Sequence, residues 1–60
     1  MFSMRILGRE VNIENYIISV SCEKDDNPEL VCVNILRYLF WEGLLSSPIK
    51  KYKVRAVEYT

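Results

Sequence analysis

Apolar and polar residues alternate through positions 2–23, with a change of phase midway. Leu7, Val11 and Ile13 are apolar at odd positions, while Tyr16, Ile18, Val20 and Cys22 are apolar at even ones. A period of two marks a strand with one buried face. One long strand would need a bulge to absorb the shift. A two-residue turn at Glu14-Asn15 absorbs it without one. That turn sets Ile13 opposite Tyr16, Val11 opposite Ile18, Arg9 opposite Val20 and Leu7 opposite Cys22, each pair on one side of a sheet. Asn15 tolerates the positive φ such a turn requires. A turn at Gly8-Arg9 is the rival, and it leaves the phase change unexplained. The outer face of the hairpin then carries Ile6, Glu10, Asn12, Ile17, Ser19 and Ser21.

The period changes at Asn27. Asn is a good N-cap, and Pro28 fits the first helical position, where its missing N–H costs nothing. Asp25, Asp26 and Glu29 cluster at the positive end of the helix dipole. At the far end Gly43 can take the left-handed position past the last turn, with Leu44 folding back towards Leu39. Ser46-Ser47-Pro48 completes the break. A helix over 28–42 follows. At 100° per residue, Cys32, Val33, Ile35, Leu36, Leu39 and Phe40 gather on one side, a stripe wide enough to cover a sheet. The opposite side holds Leu30, Asn34, Arg37, Tyr38, Trp41 and Leu45, where a surface helix usually carries Lys and Glu.

Residues 49–59 alternate again, with Lys50, Tyr52, Val54, Ala56 and Glu58 on one side and Lys51, Lys53, Arg55, Val57 and Tyr59 on the other. Tyr52, Val54 and Ala56 are expected against the helix. The resulting fold is a small α+β domain of ββαβ order, with the helix on one face of a three-stranded sheet. The last strand can lie parallel to the second through a crossover or antiparallel to the first; the pattern leaves both open. Residues 1–60 show no repeat, linker or composition break, so a single domain is expected.

Composition narrows the function classes. A 60-residue chain buries only about 60% of the surface its unfolded form exposes, so association with a second chain is a natural supplement. Eight basic residues balance eight acidic ones, against the basic excess of a general nucleic-acid or membrane-surface binder. There is no histidine, and two cysteines lack further soft ligands, so no metal or cofactor is expected. No apolar run approaches the length that spans a bilayer. The stretch MFSMRILGRE has too short an apolar run for a secretory signal. An intracellular, cytoplasmic protein with reduced thiols is expected.

Nothing in the chain assembles a catalytic group. Without histidine, and with two glycines, neither a Ser-His or Cys-His pair nor a glycine-rich phosphate loop can be built. Asp25, Asp26 and Glu29 are explained as cap and dipole residues, and they lack calcium-loop spacing. Cys22 and Cys32 both point to the expected core, where thiols are inert. No enzyme and no small-molecule substrate are expected.

Two features remain. Trp, Tyr and Arg are enriched at binding hot spots, and Leu30, Asn34, Arg37, Tyr38, Trp41 and Leu45 place all three together on a contiguous apolar side. This points to a protein interface, either a two-fold homodimer with helices packed antiparallel or a larger protein partner. In size and lack of catalytic motif, the chain resembles the small accessory proteins of phages and mobile elements. Many of those bind and block a larger host protein. The likeness is one of class and rests on no motif. The other feature is Lys51, Lys53 and Arg55 on the outer face of the last strand, which could contact nucleic acid or an acidic partner, or guard an edge strand against unwanted pairing.

Overall fold

The computed structural model describes residues 2–58, and it resolves the phase change with two turns instead of one. Strands β1 (Phe2–Ile6), β2 (Arg9–Glu14) and β3 (Ile17–Cys22) form an antiparallel meander. Leu7-Gly8 links the first pair, with φ of 51° and 77°, and Asn15-Tyr16 links the second, with φ of 50° and 66°. Positive φ at both central residues matches the right-handed strand twist. The second turn thus falls one residue later than the sequence predicts. Val11 pairs with Val20 and Ile13 with Ile18, a slip of two residues that keeps the paired side chains of β2 and β3 on their expected faces. Tyr16 is a turn residue, 47% exposed, instead of a strand residue facing Ile13.

The first turn corrects two positions. Leu7 is a turn residue, 64% exposed, instead of a strand residue facing Cys22. Ile6 is buried instead of lying on the outer face. Pairing of Met4 with Val11 puts the even residues of β1 on the same side as the odd residues of β2, and so turns Ile6 inward.

Helix α1 (Pro28–Trp41) follows, then a short 3₁₀ turn at Ile49–Lys51 and strand β4 (Lys53–Glu58). The strands lie in the order β1-β2-β3-β4, and β4 runs parallel to β3. The sheet therefore has four strands in βββαβ order, where the pattern predicts three. Tyr59 lies outside the described residues.

Both ends of α1 form as their residues dictate. The Asn27 side-chain oxygen accepts from the N–H groups of Glu29 and Leu30 at 3.1 and 3.3 Å. Gly43 has φ of 68°, the Gly43 N–H donates to the Phe40 carbonyl, and the Leu44 N–H donates to that of Leu39. These two bonds make a Schellman stop. Ahead of the helix, the Arg9 guanidinium grips both oxygens of Asp26 at 2.6 and 2.9 Å. The Asp26 carboxylate also accepts from the Glu23 N–H at 2.8 Å. The contact with Arg9, and then the Glu23 bond, lower the Asp26 pKa to about 2. The connection between β3 and α1 is thereby tied to β2.

The core is Ile6, Val11, Ile18, Val20 and Cys22 from the sheet and Val31, Ile35 and Leu39 from the helix. Those helix residues recur every fourth position, so α1 meets the sheet along one narrow line. Tyr52 and Val54 pack against this core as expected, while Ala56 stays exposed. Of the predicted helix stripe, Cys32 and Leu36 are half-buried, but Val33 and Phe40 are 50% and 60% exposed. Val31, outside that stripe, joins the buried line instead. The reason is the width of the sheet. α1 lies over β3 and β4, and β4 is an edge strand, so no strand lies beneath the flank that carries Val33 and Phe40.

Candidate functional site

The outer side of α1 is built by the same N-cap and Schellman stop that fix its length. Within Pro28–Trp41 the only charged residues are Glu29 and Arg37. A helix with one buried line and a solvated back would carry several more. Leu30 is 58% exposed, Tyr38 38% and Trp41 85%. Asn34 and Arg37 are exposed between them. Five of the six residues singled out on the sequence thus share one exposed side of the helix. Leu45 does not join them. The chain reverses at Gly43, and Leu45 packs half-buried against the core. A straight helical wheel places Leu45 beside Trp41, and the Schellman stop is what breaks that extrapolation.

Arg37 is the charge at the centre of this side. Among the described residues the ion pairs are Arg5–Glu10 and Arg9–Asp26, and neither includes it. Among the described residues, a guanidinium that shares its side of the helix with Trp41, Tyr38 and Leu30 is a donor set with no acidic partner. Val33 and Phe40 form a second exposed group on the flank above β4, with Val33 lining a groove between α1 and β4. Both belong to the helix stripe expected against the sheet. Within the helix the spacing Leu30, Val33 and Phe40 sets a second group of apolar residues away from the buried line.

The basic cluster divides. Lys53 and Arg55 lie on the open face of the sheet, opposite Ile17 and Ser19 of β3. The Arg55 Nε–H donates to the Ser19 hydroxyl at 2.9 Å. Lys51 does not align with them, because it belongs to the 3₁₀ turn ahead of β4. Its ammonium sits 5.9 Å from the Tyr16 ring centre, and that ring meets Tyr52 edge-on at 5.4 Å. The open face mixes these cations with Glu10 and Glu14, and Arg5 pairs with Glu10 at 3.7 Å. A shallow depression of about 400 Å³ lies between Asn12, Glu14, Ser19 and Arg55. Among the described residues its walls supply no aromatic ring on which a base could stack.

Both thiols are free; Cys22 is buried and Cys32 half-buried. Burial first, and the neighbouring Cys22 second, push the Cys32 thiol pKa up. This is the opposite of what a reactive thiolate needs. Among the described residues no group of three or more His, Cys, Asp or Glu gathers where a metal ion could be held, and no helix is long and apolar enough to cross a membrane. The chain matches no family model, no curated protein and no solved structure.

Proposed function

We propose that this protein acts by binding another protein through the outer side of α1, and not by catalysis. The observation that carries this reading is the exposure of Leu30, Tyr38 and Trp41 around Arg37, which makes no ion pair among the described residues. Trp, Tyr and Arg contribute most of the binding energy at typical interfaces. A helix that offers such a side fits an apolar groove, and Arg37 selects a groove with a carboxylate at its centre.

A second copy of the chain is a poorer occupant of this face. Antiparallel pairing that sets Leu30 against Trp41 brings the two Arg37 residues within about 5 Å along the helix axis. No carboxylate of the pair lies between them, so like charges oppose each other. A larger protein with an acidic groove meets both demands. Occupying that groove would block it, so the activity proposed is that of a small inhibitor.

The test is capture of binding proteins from the source cell, followed by titration of each purified candidate. Trp41→Ala and Arg37→Glu serve as controls. A genuine partner binds the unaltered chain, loses affinity with Trp41→Ala, and weakens with salt and with Arg37→Glu. A partner that binds Trp41→Ala and Arg37→Glu as well as the unaltered chain refutes the assignment of this face. The alternative is nucleic-acid binding through Lys53 and Arg55, with Lys51 at the end of the strand. Their place on an uncovered sheet face supports it, and a flat oligonucleotide titration at low salt would remove it.

A further inference from the structure

The exposed edge of β4 has its own complement of unused backbone groups. The Lys53 N–H donates to the Tyr16 carbonyl at 2.8 Å. Backbone groups point to alternate sides along a strand. Those of Lys53, Arg55 and Val57 are therefore committed to β3, while those of Val54, Ala56 and Glu58 point away from the sheet. No proline or bulge interrupts β4, and the charges that it carries at Lys53 and Arg55 lie on the open face of the sheet, although all of these devices commonly blunt an edge. Beside this edge runs the groove of about 410 Å³ between α1 and β4, lined by Pro28, Glu29, Cys32, Val33, Val54 and Ala56.

We infer that β4 pairs antiparallel with β4 of a second copy, about a two-fold axis at Ala56. Cross-strand partners must share a face of the sheet, which leaves few registers. An axis at Arg55 sets guanidinium against guanidinium, and directly opposed like charges are unfavourable. Within the described residues of β4, an axis at Val57 pairs Ala56 with Glu58 and gives the outward groups of Val54 no described partner. An axis at Ala56 pairs Ala56 with Ala56 and Val54 with Glu58, so every outward N–H and C=O from Val54 to Glu58 gains a partner. The smallest side chain then sits at the axis. On the open face, the Arg55 stem covers Val57 of the second copy, a residue left exposed in the single chain.

The helices supply an independent argument. Strands in a sheet lie about 4.8 Å apart, so helices centred between β3 and β4 of each copy come to about 10 Å across the axis, the packing distance of two helices. The flanks that meet are those carrying Val33 and Phe40, which lack a strand beneath them in one copy. Asn34, Tyr38 and Trp41 lie about 80° or more round the helix from Val33 and Phe40, at about 100° per residue, so the dimer leaves that part of the proposed docking side open. Charge complementarity thus separates the two surfaces: Arg37 demands an acidic partner, whereas the β4 edge matches itself.

Sedimentation equilibrium of the full chain, combined with amide hydrogen exchange, tests the dimer. The expected result is a dimer in which the Val54, Ala56 and Glu58 amides become protected as concentration rises. Ala56→Pro removes an N–H that points away from β3, where an edge strand tolerates proline. It should weaken the dimer by about 30-fold or more through the loss of two hydrogen bonds and the added ring. Trp41→Ala should leave the dimer unchanged. A monomer at high micromolar concentration overturns the inference. So does self-association that leaves those three amides unprotected or that Trp41→Ala abolishes. Should Ala56→Pro fail to fold, the exchange pattern of the unaltered chain decides.

Discussion

Two large apolar residues on α1, two positions apart, should respond to truncation in opposite ways. Leu39 is fully buried and Trp41 is 85% exposed. Leu39→Ala removes a side chain from the centre of the core and leaves a cavity, at a cost of about 3–5 kcal/mol. A chain of 60 residues has a folding free energy of about 3–9 kcal/mol. This single change should therefore consume most of it, and the variant should be largely unfolded or close to it at room temperature.

Trp41→Ala is a different perturbation. About 15% of the indole is covered, or about 40 Å² of a side chain that can bury some 250 Å², which at about 25 cal/mol per Å² contributes about 1 kcal/mol. Alanine recovers about 0.5 kcal/mol through its better helix propensity. The net loss is about 0.5 kcal/mol, a fall of about 2–4 °C in Tm for a domain this small. Urea and thermal unfolding followed by circular dichroism measure both variants. A loss above about 2 kcal/mol for Trp41→Ala would show that the indole is packed within the fold, and the docking side would lose its central residue.

Two further predictions concern the turn and the ion pair. Leu7 holds φ of 51° while exposed, a conformation unfavourable for a side chain of its kind by about 1 kcal/mol. Leu7→Asn creates the Asn-Gly pair preferred at such turns and should raise Tm by several degrees; an unchanged or lower Tm refutes the strain. Asp26 has its pKa lowered from 3.8 to about 2, chiefly by the Arg9 hydrogen bonds. A depressed carboxylate stabilises the fold above its unfolded pKa, and that contribution fades as pH falls through the folded value. Stability should therefore decline between pH 3.8 and about 2, and Asp26→Asn should flatten that limb. An acid limb unaltered by the substitution counts against the Arg9–Asp26 tie.

Local chemistry made some elements legible and left others hidden. The boundaries of α1 could be read because Asn27, Pro28 and Gly43 each favour one backbone role. The alternation over β4 and the inward set of Val11, Ile18, Val20 and Cys22 were equally plain. Strand β1 was not, although Phe2, Met4 and Ile6 alternate with Ser3 and Arg5. Each two-residue turn reverses the phase, so two turns restore it, and a single reversal near residue 14 looked sufficient. The turns themselves defied their signals, since Leu7 and Tyr16 are poor residues for positive φ. The Arg9–Asp26 contact joins residues seventeen apart and leaves no periodic trace. Val33 and Phe40 were misplaced because a helical wheel knows nothing of where the sheet ends.

That last error identifies what organises the exposed surface. One helix is about 10 Å across, whereas four strands at about 4.8 Å span about 15 Å. A single α1 over β3 and β4 must therefore leave apolar surface uncovered, and where it lies follows from the topology. On the β4 side it is Val33, Phe40 and the groove floor at Val54 and Ala56, adjoining an unpaired edge. A second copy can extend that edge. On the outer side it is Leu30, Tyr38 and Trp41 around Arg37, a charge with no ion-pair partner among the described residues. The first surface is suited to a copy of itself and the second to a different protein. Helix α1, with core residues only along Val31, Ile35 and Leu39, is the element that carries both.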